Sequence, residues 1–437
     1  MRPPLLLAFG FLVTILVGSL LLTLPVANRG GTVTPYLVAL FTSTSAVCVT
    51  GLVVVDTATY WSPFGQAVIL ALIQIGGLGF MTASTFLFTI MGRRVGLVDR
   101  MVLSAAQGSP TLGGAVRLAR HVVVVTAIAE GIGALVLFLR FLWIYPLGTA
   151  AWMGLFHSVS AFNNAGLDIV GGFRSLTPFS DDPIIVLTIA ALLIVGGLGY
   201  TVILNLRELR AYRHLALDTR LVLLITISLL VSGTLGILVL EYTNPATLGP
   251  MSLPLKVMNS FFMAATPRTA GFSTVDVGLM TQGSLLFIIG LMFIGGGAGS
   301  PAGGIKVGTF GVLTAAVWSA MQGRRSVAIF NRELPADAVG RALAVALLGL
   351  GIIFLGSVTL TTTERYPVFP LLFEVTSAFG TVGLSTGLTP DLSLVGESLT
   401  IVTMYVGRLG PLTTALALAQ REKPETFKYP ESHVRIG

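Results

Sequence analysis

Long apolar stretches alternate with short polar ones along this chain. Eight of the apolar stretches reach about the ~20 residues that a spanning helix needs: 3–26, 63–91, 116–143, 182–206, 219–241, 283–322, 338–360 and 393–419. Between the members of each successive pair lies a shorter run of small and polar residues, and this run repeats: 41–52 (FTSTSAVCVTGL), 156–167 (FHSVSAFNNAGL), 261–272 (FFMAATPRTAGF) and 373–384 (FEVTSAFGTVGL). In every copy a glycine follows the phenylalanine by ten residues, giving Gly51, Gly166, Gly271 and Gly383. A period of about a quarter of the chain sets the architecture before any single residue does.

The pattern predicts an all-α polytopic membrane protein of four tandem units, each a span, a half-length helix, a glycine loop and a second span. The units are 1–95, 96–210, 211–325 with a broken second span, and 326–437 with a cytoplasmic tail. Half-length segments such as 35–46 and 152–162 are too short to cross a bilayer. The loop after each must return through extended backbone, which membrane interiors tolerate only when it is buried in protein or faces water. Four such loops are therefore expected to line one aqueous path. Each unit has an even number of spans, so the repeats run parallel around an axis along the membrane normal.

Composition agrees. The chain is 54% hydrophobic and 10% charged, against about a quarter charged for soluble domains. Polar segments long enough to bury a core of their own are absent, so everything outside the membrane is expected to be loop. The single Cys48 excludes an internal disulfide framework and a multi-cysteine metal site. The net charge of +7 does not mark a nucleic-acid binder, because the basic residues are scattered over short loops. Eighteen of the 26 Lys and Arg residues fall on the side of the termini, which predicts cytoplasmic termini and external glycine loops. The basic, apolar N-terminus is read as a first span, since its apolar run exceeds the ~7–15 residues of a signal peptide and VANRGG lacks a clear cleavage site.

A dehydrated cation needs oxygens that replace its water, and backbone carbonyls supply them where glycine permits unusual φ and ψ. The candidate cation-filter residues are Val49, Thr50 and Gly51; Asn164, Ala165 and Gly166; Thr269, Ala270 and Gly271; and Thr381, Val382 and Gly383. Half-length helices would aim their negative C-terminal ends at the axis, favouring a cation. Asp56, Asp168, Asp276 and Asp391 follow the glycines by two to eight residues. They either concentrate cations at the outer mouth or are ordinary polar loop residues.

At these residues the chain resembles the Trk, Ktr and HKT superfamily of cation transporters, over nearly its whole length, and is most similar to the bacterial Ktr membrane subunits. The resemblance implies four units like potassium-channel subunits, with one glycine per filter. It also implies potassium as the transported ion, since some plant relatives with serine in the first filter pass sodium, and all four positions here are glycine. It further implies a homodimer on a cytosolic RCK-type ring of nucleotide-binding regulatory subunits, sodium as a possible activator, and no cofactor in the chain itself.

A second echo, about 25 residues beyond each filter, reads GGLGF (76–80), GGLGY (196–200), GGGAGSPAGG (295–304) and GRLGP (407–411). The first two are expected to be close-packing glycines. In the third, Gly295, Gly296, Gly297, Ala298, Gly299, Ser300, Pro301, Ala302, Gly303 and Gly304 must break the helix. The resemblance implies that this break is an intramembrane gate. Arg408 replaces a small residue in the fourth copy, and a charge at that depth is a functional candidate; it is expected to donate to carbonyls of residues 295–304. Lys306 either caps the broken helix or snorkels. Arg268, three residues before Gly271, would repel cations in the path and is expected to point away and anchor its loop. Glu130 lies well off the pore motifs and is read as a structural, hydrogen-bonded or protonated carboxyl rather than a proton-coupling one.

Rival functions are weaker. GGGAGSPAGGIK fails the phosphate-loop pattern, since Ile305 separates Gly304 from Lys306. The four histidines are widely spaced and form no metal pattern, which argues against a membrane enzyme. A secondary transporter of another small solute and a sodium-permeable cation channel stay as alternatives.

Overall fold

The computed structural model describes residues 3–79, 112–208, 215–324 and 326–410. Each unit begins with a long leading helix: Pro3–Thr23, Leu112–Phe141, Leu217–Glu241 and Ala336–Thr363. All four contain a stretch long and apolar enough to cross a membrane. Their outward faces are apolar as well: Ile128, Ile132, Leu135 and Leu139 form an exposed stripe on the second, and Ile227, Val231, Leu235 and Val239 on the third. Helices apolar on both faces are what a lipid solvent selects.

Half-length helices follow at Tyr36–Cys48, Leu147–Phe162, Leu253–Ala265 and Val368–Gly380. Each is buried over most of its C-terminal half. Ser43 donates to the Ile15 carbonyl at 2.7 Å and Ser158 to the Glu130 carbonyl at 2.7 Å, so the first two units are tied to their leading helices in the same way. Gly18 and Gly133 make that approach possible, since an added Cβ would lie 2.5 Å from Ser43 Oγ and from Ser158 Oγ respectively.

The closing helices, Pro63–Leu78, Pro183–Leu198, Gln282–Phe293 and Leu394–Leu409, are shorter than the expected second spans. The reason lies in the second echo. Gly79, Gly199 and Gly410 take φ of 77°, 93° and 85° and end their helices. After Gly199 the chain resumes as Tyr200–Glu208, bent by 98° from the helix before it. The remainder of the expected spans 63–91 and 393–419 lies outside the described residues. Gly76 and Gly196 are packing positions, as expected, and Gly407 is one as well: they lie against the carbonyls of Val47, Phe162 and Phe379, at the ends of the half-length helices.

Outside the helices the chain is not all loop. Ala328–Ile329 pairs antiparallel with Arg332–Glu333. The two-residue turn between them carries positive φ at both Phe330 and Asn331, the geometry that suits a tight hairpin.

Neighbouring units are stitched by hydrogen bonds: Trp152 to Gln66, Asn259 to the Ser180 carbonyl, and Leu176 N–H to the Ser273 carbonyl. Tyr405 in the last unit donates to the Ala8 carbonyl in the first at 2.6 Å, which closes the circle. Overpacking of a well-filled contact typically costs about 1–3 kcal/mol, so Gly196→Val should lower the melting temperature of the detergent-solubilised protein. Gly131→Val, where an added Cβ meets nothing within 4 Å, should leave it unchanged.

Candidate functional site

Each half-length helix ends by turning its chain into the left-handed region two residues before the glycine. Val49, Asn164, Thr269 and Thr381 have φ of 57°, 57°, 71° and 49°. In units one, two and four, paired backbone bonds close the helix: Thr50 to Ser45 and Val49 to Ala46, Ala165 to Ser160 and Asn164 to Ala161, Val382 to Ser377 and Thr381 to Ala378. This is the double-bonded helix terminus that normally places glycine at the left-handed position. Here β-branched Val49 and Thr381 hold it, and Thr269 does so in unit three, each at about 1–3 kcal/mol of strain. In unit three the closure differs, with Ala270 bonded to the Thr266 carbonyl at 2.9 Å.

The glycines that follow are also at positive φ: 98°, 66°, 75° and 91° for Gly51, Gly166, Gly271 and Gly383. They meet in order around a ring. A Cβ on Gly51 would lie 2.6 Å from the Ala165 carbonyl oxygen, one on Gly166 2.8 Å from that of Ala270, and one on Gly271 2.7 Å from that of Val382. Gly383 meets the Thr50 carbonyl in the same way, completing the circuit. Every candidate filter triplet thus touches the next, and no side chain larger than hydrogen fits at the four contact points.

A cavity of about 740 Å³ above the ring is lined by all four glycines together with Asp168, Asp276, Arg174 and Ser385. Among the described residues, no hydrogen bond ends on the carbonyl oxygen of any of the twelve candidate filter residues. The hydroxyls of Thr50, Thr269 and Thr381 are buried and without a partner among the described residues.

Four residues that the sequence reading passed over hold the turns from behind. Ser45 Oγ accepts from Gly51 N–H at 3.0 Å and Ser377 Oγ from Gly383 N–H at 3.1 Å. Ser160 instead donates to the Leu167 carbonyl and Thr266 to the Phe272 carbonyl, both at 2.6 Å. A hydroxyl six residues before the glycine in three of four copies was the legible sign.

The aspartates have structural duties. Asp56 caps the short helix Thr57–Tyr60 through Ala58 and Thr59 N–H and also accepts from Gly172 and Phe173 N–H in unit two, clamping two units together. Asp276 accepts from Gly278 N–H at 2.9 Å, and Asp391 from the Tyr366 hydroxyl at 3.3 Å. Asp168 accepts from Val170 N–H at 2.9 Å. Burial raises its carboxyl to about 6, the Val170 amide pulls against that, and the charge of Asp56 adds to the rise.

The broken third closing helix lies directly beneath the ring. Ile294 and Ile305 bridge in parallel, with Gly295 N–H bonded to the Ile305 carbonyl at 2.8 Å. The loop between them is seated on unit two through Gly297 N–H to the Gly197 carbonyl at 2.8 Å and Tyr200 N–H to the Gly299 carbonyl at 3.5 Å. Gly295 faces Thr269, and Gly303 is packed against the Thr381 side chain. Lys306 donates back to the Ala302 carbonyl, holding the loop to the helix Val307–Met321 that follows it.

Arg408 departs from expectation. It donates to the Gly76 carbonyl of unit one, rather than to the loop 295–304, and its guanidinium lies 5.6 Å from the Phe11 ring centroid. The Gly76 carbonyl, near the end of the helix that stops at Leu78, also accepts from Gly79 N–H at 3.2 Å, so Arg408 adds a second hydrogen bond to it across the seam between the last unit and the first. Arg268 is buried, and its Nε has no partner among the described residues, so the expected anchoring bond is not seen there. Glu130 is hydrogen-bonded, as expected, but is not remote from the pore motifs: it accepts from Asn163, beside the second filter triplet.

The model of the cation transport protein family matches residues 13–429, so the chain belongs to the Trk and Ktr family of cation transporters. It is 42% identical over 435 residues to a Ktr system potassium uptake protein B of Bacillus subtilis, covering 100% of this chain and 97% of that one. A protein of the same description from Vibrio alginolyticus is 40% identical, over 99% and 95% of the two chains. A potassium/sodium uptake protein of Enterococcus hirae is 36% identical, over 100% and 98%. The crystal structure of the potassium transporter TrkH from Vibrio parahaemolyticus shares the fold, with a TM-score of 0.71 at 19% identity over 94% of this chain and 85% of that one.

Removing the acceptor of a buried amide costs about 1–3 kcal/mol. Ser45→Ala should therefore lower the melting temperature in detergent, because it strands Gly51 N–H, whereas Ser232→Ala, at an exposed hydroxyl on a leading helix, should not.

Proposed function

We propose that this chain carries potassium into the cell through a filter formed by the four glycine turns. The observation that carries this reading is the set of twelve carbonyl oxygens without hydrogen-bond partners among the described residues, around glycines that share one cavity. Such oxygens are costly to bury unless something accepts their field, and a dehydrated monovalent cation does so while exchanging its water for carbonyls. The C-terminal ends of four half-length helices lie at the same place, and their partial negative charge favours a cation over an anion.

Below the filter, residues 295–304 act as the gate, with Lys306 holding the loop closed upon itself. Arg408 contributes by fixing the seam between the last and first units. Asp168 and Asp276 at the outer cavity attract cations, while Asp56 acts chiefly as a clamp. Both termini lie in the cytoplasm and the outer cavity faces outside, in keeping with the distribution of basic residues. By likeness to the Ktr relatives, the chain works as a homodimer on a cytosolic nucleotide-binding ring, with sodium as an activator or a second transported ion; the Enterococcus hirae relative's description includes sodium.

Uptake of rubidium and sodium isotopes by a potassium-uptake-deficient strain tests the filter. Wild type should take up rubidium in strong preference to sodium. Gly51→Ser should reduce that preference by about tenfold or more, since a side chain at this φ meets the Ala165 carbonyl and displaces a quarter of the ring. An unchanged ratio in a correctly inserted variant contradicts the assignment. Removing residues 298–302 tests the gate: rubidium uptake should rise while the rubidium-to-sodium ratio stays as in wild type.

A further inference from the structure

The four quarters of the ring are not held alike. Asn163 follows the second half-length helix directly, and its side chain turns away from the axis to meet Glu130 on the leading helix. Asn163 Nδ2 donates to Glu130 Oε1 at 2.7 Å and shares its hydrogens with Gln74 Oε1 at 3.1 Å and the Val159 carbonyl at 2.9 Å. Gln74, on the closing helix of unit one, completes the cluster by donating to Glu130 Oε2 at 3.2 Å. Three elements from two units therefore converge behind the residue that opens the second filter turn. Gly77 makes room for them, because a side chain there would strike Asn163.

Unit one provides the comparison within the same molecule. The bond from Ser43 to the Ile15 carbonyl matches that from Ser158 to the Glu130 carbonyl, so Ile15 occupies the place of Glu130. The register of the filters likewise puts Cys48 in the place of Asn163. The first turn is thus backed at these places by an apolar pair, and the second by a hydrogen-bonded carboxyl and amide. A hydrogen bond is directional, so it fixes position where packing alone tolerates small shifts. One turn away on the same leading helix, Thr126 meets the Tyr200 hydroxyl at 3.3 Å, at the base of the segment that seats the gate loop.

We propose that Glu130 is a positioning residue for ion selection: through Asn163 and Gln74 it fixes where the second turn presents Asn164, Ala165 and Gly166 to the ion path. This rests on the filter reading above. Glu130 does not touch the ion; it sets the reach of one quarter of the ring.

The test is a set of variants, Glu130→Ala, Glu130→Gln, Asn163→Ala and the Glu130→Ala/Asn163→Ala double, assayed for rubidium and sodium uptake and normalised to protein in the membrane. Glu130→Ala and Asn163→Ala should each lower the rubidium-to-sodium ratio by about tenfold, the size expected when a buried hydrogen-bonding group loses its partner, and raise the half-saturating rubidium concentration. The double variant should be no worse than either single one, because both remove the same contact. Glu130→Gln, which keeps an acceptor facing Asn163, should retain most of the ratio. Wild-type ratios in both single alanine variants, or losses that multiply in the double, overturn the proposal. If Glu130→Ala does not reach the membrane, a wild-type ratio in Asn163→Ala alone overturns it. Failure of the filter reading is distinct: wild type would then not prefer rubidium, or Gly51→Ser would leave the preference intact.

Discussion

The contact on which this structure depends is the one between each of Gly51, Gly166, Gly271 and Gly383 and the carbonyl that precedes the next of them. Four chain segments about a quarter of the sequence apart must bring their backbones within van der Waals distance of one another on a common axis. Any side chain at those points would hold the ring open. The glycines further out serve the same end: Gly76, Gly196 and Gly407 let the closing helices press onto the ends of the half-length helices, so that the turns are supported from below as well as from the sides. The last unit reaches back to the first through Tyr405 to Ala8 and Arg408 to Gly76, beside the contact of Gly383 with the Thr50 carbonyl that completes the circuit.

Within that ring the backbone is held in an unfavourable shape. Left-handed Val49, Thr269 and Thr381 would relax if free to do so, and Ser45, Ser160, Thr266 and Ser377 keep them from relaxing. Strain of this kind persists where surrounding contacts over-determine a conformation. Its effect here is to leave the carbonyl oxygens of the four turns without hydrogen-bond partners among the described residues, around one ring of glycines, where a positive charge would offset their burial. The function proposed for the chain follows from that electrostatic requirement.

Much of this was legible in the amino-acid sequence because it is periodic. Ten residues from phenylalanine to glycine, four times, located the turns, and the apolar stretches around them located the leading and half-length helices. Three things were not legible. The closing helices end sooner than hydropathy suggests, since apolar residues continue past the glycine that stops the helix at Gly79 and Gly199. Arg408 bonds to a neighbouring unit's carbonyl, a choice that depends on which helix end the ring brings beside it. Glu130 looked remote at 33 residues from Asn163, yet the packing of the leading helix on the half-length helix places them in contact. Periodicity reveals what each unit does alone; the seams between units belong to the assembled ring.

The ring as a cation site is tested most directly by crystallising the protein in rubidium and measuring anomalous scattering at the rubidium edge. The account predicts a peak on the axis among Gly51, Gly166, Gly271 and Gly383, within carbonyl coordination distance of all four turns. A well-diffracting crystal with rubidium bound elsewhere and nothing on that axis would contradict it.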